Sequence, residues 1–247
     1  MASIKEAYDS TMKEAFAGIK VFLWAIPLYI GMSGESIFSK LIGIVAAILL
    51  FGLCITLANN VVTKKPTIVP GVNFIEMLIN AGLAILCSIP YALVGYLVYW
   101  GFTFIQVPSP TWNDTIHILG GLLAAAFPLS ALAIFVRRKN PFEVLDFKKI
   151  SYGYGEVFLD SSYFVVKLTI VSIFTIGFLI YIFYLFIGFQ NSLWTYLMSS
   201  VAVFYAFLGA NYLAQISEEI YTLPENDAKE KREKEEIDKI LTTHEEK

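Results

Sequence analysis

Charge is what this chain has least of. Asp, Glu, Lys and Arg make up 16% of its 247 residues, against about 25% in soluble domains. The shortage is uneven. Residues 217–247 hold 11 acidic and 6 basic side chains, while residues 1–216 hold only 10 acidic and 12 basic. A body so poor in charge, in a chain that is 57% hydrophobic, cannot dress an aqueous surface, which excludes an ordinary soluble domain. Cysteine is scarce as well. Cys54 and Cys87 both fall inside apolar runs and form no C-x-x-C pair, so neither a disulfide framework nor a zinc knuckle is indicated. Of the two histidines, His117 has no His, Asp or Glu three or four residues after it and His244 lies in the tail. No metal ligand set and no cofactor are expected. H-E-x-x-H, G-x-S-x-G, the P-loop and G-x-G-x-x-G are all missing, so an enzyme is not expected.

What the sequence has in abundance is long apolar runs. Six can be read, at roughly 17–33, 38–62, 74–105, 115–136, 161–189 and 193–216. A helix needs about 20 residues to cross about 30 Å of hydrocarbon. The first run is short and contains Pro27. The third, at about 48 Å if fully helical, is too long to cross straight, so it tilts, kinks at Pro90 or begins along the interface. Ahead of the first run, Ile4, Tyr8, Met12, Ala15, Phe16 and Ile19 recur at spacings of three and four, with Lys5, Glu6, Asp9, Lys13 and Glu14 between them. That pattern predicts an amphipathic helix over residues 1–16, lying in the bilayer interface, and not a cleavable signal peptide.

Basic residues set the orientation. With six spans, 17 of the 18 Lys and Arg fall on one side and only Lys40 on the other, so both termini are expected in the cytoplasm. The predicted fold is an all-α polytopic transmembrane bundle of about six spans, N-in and C-in. Its parts are the interfacial helix 1–16, a transmembrane domain 17–216 with a cytoplasmic loop at 137–160, and a charged cytoplasmic tail 217–247. Asn140-Pro141 followed by Phe142, Leu145, Phe147 and Ile150 predicts a second interfacial helix in that loop.

Two stretches carry a resemblance. Thr67-Ile68-Val69-Pro70-Gly71-Val72-Asn73-Phe74-Ile75-Glu76-Met77-Leu78-Ile79-Asn80-Ala81-Gly82-Leu83 follows a basic loop and leads into a long apolar run containing Pro90. It resembles the Pro-Glu-Phe-Asp-Asp-Trp segment and Gly-Leu-led helix of an uncharacterised prokaryotic polytopic membrane-protein family known only as a domain of unknown function. Leu145-Asp146-Phe147-Lys148-Lys149-Ile150 is similar to that family's second cytoplasmic motif. The resemblance covers about residues 40–190. Gly71, Val72 and Asn73 stand where the family has its acidic-aromatic core, so no role tied to those acidic positions carries over. The resemblance implies a bacterial or archaeal cytoplasmic-membrane protein and supplies no activity.

Polar groups inside apolar runs are costly and are the first place to look for function. Asn59, Asn60, Asn80, Ser88, Asn211 and Gln215 are the candidates for an intramembrane polar pocket open to the cytoplasm. The plainer reading gives them interhelical hydrogen bonds. No run has a carboxylate at its centre, which argues against an ion-coupled transporter. Arg137, Arg138, Lys139, Lys148 and Lys149 form a basic collar suited to anionic lipid headgroups, or serve as a topology signal alone. Small residues recur every four positions at Gly43/Ala47, Gly120/Ala124, Gly121/Ala125 and Ala202/Ala206/Ala210, which suits close helix packing or a homo-oligomer face. The expected partners are the lipid bilayer and a protein bound through the tail, with no nucleic acid. The expected role is a non-enzymatic scaffold, assembly or accessory subunit of the cell envelope. The alternative is a small-molecule or lipid transporter that uses the polar pocket.

Overall fold

A computed structural model describes residues 3–13, 17–65, 67–105, 107–147, 149–151, 153–155, 157–160, 163, 167, 170 and 191–245, the last from residue 223 onward by its backbone alone. Among the described residues there is no β-strand. The helices are α1 (Ile4–Met12), α2 (Ala17–Ser33), α3 (Ile37–Val62), α4 (Phe74–Thr103), α5 (Pro110–Arg138) and α6 (Asn191–Glu245), with a 3-10 turn at Pro141–Leu145.

The helix ends follow local chemistry. Ser36 caps α3 by accepting from the Ser39 amide, and Asn73 caps α4 by accepting from the Glu76 amide, with Glu76 itself in the first turn. Pro110 opens α5 at a position that needs no amide donor. Arg137 and Arg138 close it against the carbonyl end of the dipole, and Lys139 turns the chain out of the helix at φ 52°. Asn140 and Pro141 then start the 3-10 turn.

Three helices, α3, α4 and α5, are long and apolar enough to cross a membrane, and so is the Ser192–Thr222 part of α6. α1 and α2, bent by 94° to each other, make a fifth if taken together. α2 alone, at 17 residues, spans only about 26 Å. The protein is therefore an all-α membrane bundle with four or five such helices among the described residues. The fifth expected span, 161–189, falls almost wholly outside them.

Several expectations about single elements sharpen. The overlong third run is one helix of 30 residues with Pro90 inside it, not two pieces. Pro27 and Pro128 likewise sit within α2 and α5. α5 begins five residues earlier than its apolar run because Trp112, Asn113 and Asp114 join the helix at its polar end. In the expected loop 137–160, α5 ends at Arg138, the 3-10 turn follows at Pro141–Leu145, and the described residues from 147 to 160 are helical.

α3 is the hub. It packs on α2, α4, α5 and α6 and supplies Leu53, Ile55, Leu57 and Ala58 to the core, opposite Ile134, Phe135, Val136, Val203 and Phe207. In lipid, apolar burial alone does not hold helices together, so close backbone approach matters more. Glycine provides it. Gly31 meets Gly43 where α2 crosses α3, Gly52 meets the Met77 backbone where α3 crosses α4, and Gly95 meets the Ala124 backbone where α4 crosses α5. A Cβ at any of the three would overlap its neighbour. Leu86, Leu93, Leu97 and Trp100 point outward from α4, as a lipid-facing surface requires.

Candidate functional site

The end of the bundle where α3, α5 and α6 finish their apolar stretches gathers most of the chain's polar chemistry. α3 delivers Asn59 and Asn60 in its last turns. The Asn59 side-chain amide donates to the Val136 carbonyl at 2.7 Å and the Arg137 carbonyl at 3.0 Å, two groups that the end of α5 leaves without intrahelical donors. Asn60 donates to the Thr67 and Ile68 carbonyls, each at 3.2 Å, and so folds the α3–α4 loop back onto the bundle. Lys20 reaches the same loop, donating to the Val69 carbonyl at 2.8 Å.

The other four polar-pocket candidates are placed elsewhere. Asn80 donates to Thr56 Oγ1 at 2.8 Å, joining α4 to α3. Ser88 donates to the Ala84 carbonyl of its own helix at 2.6 Å. Asn211 donates to the Ser10 and Thr11 hydroxyls, and Gln215 exchanges hydrogen bonds with the backbone of Ser3. These contacts dock α1 on α6 through the small, polar face that buries Ala7 and Thr11, leaving Tyr8 and Met12 facing outward. Asn59, Asn60, Asn80 and the Asn211–Gln215 pair thus serve separate contacts between elements, Ser88 bonds only within its own helix, and these hydrogen bonds do not bring the six residues together.

The basic collar is built around Tyr221. The Arg137 guanidinium stacks over the Tyr221 ring at 4.4 Å, and the Lys149 ammonium lies 5.2 Å from the ring centroid. The Tyr221 hydroxyl donates to Glu143 Oε2 at 2.7 Å, and Arg138 donates to Glu143 Oε1 at 2.8 Å. Burial pushes the Glu143 carboxyl up, but the Tyr221 and Arg138 hydrogen bonds and nearby positive charge outweigh it and hold the carboxyl below its ordinary value. Lys139 pairs with Glu76 at 3.2 Å and Lys64 with Glu218 at 3.6 Å. Arg137, Arg138, Lys139 and Lys149 therefore each engage a side chain of the same protein, while Lys148 lies outside the described residues. By contrast Lys40 sits at the opposite end, donating to the Gly31 carbonyl.

Glu143, Ser217 and Tyr221 are the members of this end that sequence reasoning did not single out. Ser217 and Tyr221 fell on the tail side of the expected boundary at 216–217, yet α6 runs through that boundary without a break. The apolar Ile216, Ile220 and Tyr221 at spacings of four and one were the available signal that the helix stays packed there.

Below this layer lies an apolar cavity of about 380 Å³ between α3, α5 and α6, lined by Cys54, Ile55, Leu129, Leu132, Leu213 and Ile216 among others. A second, wholly apolar groove of about 490 Å³ lies between α2 and α3, around Trp24, Leu41, Val45 and Leu49. Four buried polar side-chain atoms among the described residues have no hydrogen-bond partner: Asn60 Oδ1, His117 Nδ1, Arg137 Nη1 and Ser217 Oγ. Three of the four belong to the polar end of the bundle.

No family model matches the chain, and no curated protein or solved structure does either.

Proposed function

We propose that the protein is a non-enzymatic module of the cell (cytoplasmic) membrane, a scaffold, assembly or accessory subunit whose six spans place both termini in the cytoplasm. One observation carries this reading. α6 is a single helix of 55 residues, about 80 Å long, whose apolar stretch gives way to charge at Glu218 and Glu219 and whose last part, 223–245, is dominated by Glu, Lys, Asp and Arg. A helix rooted in the bundle and prolonged by more than 30 Å of polar helix is a fixed arm on which a soluble partner or a second membrane subunit can dock. The distribution of basic residues supports the orientation. Lys20, Lys64, Arg137, Arg138, Lys139 and Lys149 converge on one end of the bundle and Lys40 lies at the other. The resemblance to the prokaryotic family of unknown function supports the same membrane.

In-cell crosslinking through photoreactive residues at positions 229, 234 and 239, followed by purification in mild detergent, tests the role. A stoichiometric crosslinked partner, lost when the chain stops after Thr222, is the expected result. A lone monomer with no crosslink through the arm contradicts it.

The second reading, a carrier of lipid or small apolar molecules, now draws on the cavity between α3, α5 and α6. It draws nothing from the six asparagine, serine and glutamine positions, because each of those side chains is tied into a hydrogen bond within the chain.

A further inference from the structure

The cavity between α3, α5 and α6 restricts its ligand by what its walls lack. Among the described lining residues only Cys54 and Tyr212 carry a polar side-chain atom. Both are already engaged. The Cys54 thiol donates to the Ala206 carbonyl at 3.6 Å, and the Tyr212 hydroxyl donates to the Asp160 carbonyl at 3.0 Å. The other lining side chains are aliphatic or aromatic. A resident water needs about two to four polar partners, and these walls offer none. A charged or hydrogen-bonding ligand would be stranded there for the same reason. Leaving the space empty is also unfavourable, because the wall atoms then forfeit the dispersion contacts of packing. At about 380 Å³, the cavity is within the range of about 300–1,000 Å³ that small ligands fill.

Position selects the source of that ligand. Cys54, Leu132 and Ile216 line the cavity from three helices that are each long and apolar enough to cross a membrane. Leu132 lies six residues before Arg138 at the end of α5, and Cys54 eight before Val62 at the end of α3. The cavity therefore begins about 9–12 Å below the polar end of the bundle. Half of a hydrocarbon core is about 15 Å thick, so this is the depth of mid-chain methylenes in the leaflet on that side. Ile55, Leu132 and Ile216 are buried, while Phe51, Leu129 and Leu213 are only half-buried. The walls thus grade from a closed floor to a rim that a slender chain can pass and a neighbouring helix cannot. The small-residue repeat of α6 has a use here: Ala206 and Ala210 line the cavity, and a leucine at either position would fill it. We propose that the cavity binds one acyl chain of a bilayer lipid, held by its hydrocarbon with no contribution from the headgroup. The site rests on the same cavity as the carrier reading, to which it gives a cargo class, and it is independent of the arm on α6.

The test uses the full chain in nonionic detergent, titrated with a phosphatidylcholine that carries a diazirine midway along one acyl chain. Photolysis and peptide mapping by mass spectrometry then locate the labelled residues. Saturable labelling of Ile55, Leu132 and Ile216, competed by plain phosphatidylcholine, is expected. A phosphatidylglycerol with the same chain should label them equally. Ala206→Leu and Ala210→Leu should each cut that labelling at least about tenfold and leave the outward-facing Leu93 labelled as before. Competition in the wild type keeps the test decisive should either variant fail to assemble. Four results overturn the site: no labelling at the three positions, labelling that plain lipid does not compete, labelling that persists in both variants, or labelling by phosphatidylglycerol alone. The first means that protein closes the cavity, and the last that a headgroup is recognised. Transfer of the same probe between two vesicle populations, one holding the protein, reads the carrier separately: labelling without transfer keeps the site and removes that reading.

Discussion

Asn59 holds two carbonyls that the end of α5 leaves without helical donors, and it does so across a helix–helix contact. Such bonds are individually modest, about 0.6 kcal/mol on average and up to about 1.7, but here two acceptors depend on one amide. Asn59→Leu should cost about 1–2 kcal/mol, read as lower thermal stability in detergent. Ser88→Ala, which removes only a bond to the Ala84 carbonyl of its own helix, should change it little. Glu143 gives a pH signature. Its carboxyl lies below the ordinary 4.5 in the folded protein, so its stabilising contribution is complete above that pH and is lost as pH falls through the lowered value. Thermal stability of the wild type should therefore decline on acidification below about pH 4.5 more steeply than that of Glu143→Gln, whose profile should be flatter. The sequence made Asn59, Asn60, Asn80, Asn211 and Gln215 conspicuous because amides are rare in apolar runs. It could not assign their partners, since each bond joins residues brought together only by a helix crossing, as with the 201 positions between Asn211 and Ser10.

At the scale of elements, hydropathy marked out α3 and α4 closely and left their ends to be set by Ser36, Asn73 and Thr63. It marked α5 less well, because the polar first turns of that helix carry no apolar signal. The boundary of α6 was least legible: the change to charged composition near 217 reads as the end of a span, but a helix's backbone hydrogen bonds do not depend on side-chain polarity, so the element continues. Crossings depend on glycine at specific points. Gly52 packs against the Met77 backbone, and no side chain can be accommodated there unless α3 and α4 separate. Gly52→Leu should destabilise by about 3 kcal/mol or prevent assembly, whereas Gly82→Leu, on the same pair of helices but with open space around it, should be tolerated. Comparing the fraction of each variant that elutes as a sharp monodisperse peak in mild detergent checks the pair.

For the whole molecule, the arrangement is one in which a polar layer closes one end of an apolar bundle and joins the ends of α3 and α5 to α6 around Tyr221. Lys20, Lys64, Arg137, Arg138, Lys139 and Lys149 sit in that layer, and Lys40 sits at the opposite end. The charge pattern in the sequence anticipated this grouping because insertion places basic segments on the cytoplasmic side, a constraint written along the chain and not in its tertiary contacts. The cavity was not legible, since it requires three helices to be aligned in depth. The central claim is a six-span bundle with both ends and the polar layer in the cytoplasm. The most direct test is labelling of single cysteines, with Cys54 and Cys87 replaced by alanine, using a membrane-impermeant maleimide on intact cells. Cysteines at Lys5, Lys64, Asn140 and His244 should be protected until the cells are permeabilised, and those at Gly34, Ser109 and Asn191 should label at once. Labelling of position 64 or 140 in intact cells, or opposite behaviour of positions 5 and 244, would contradict it.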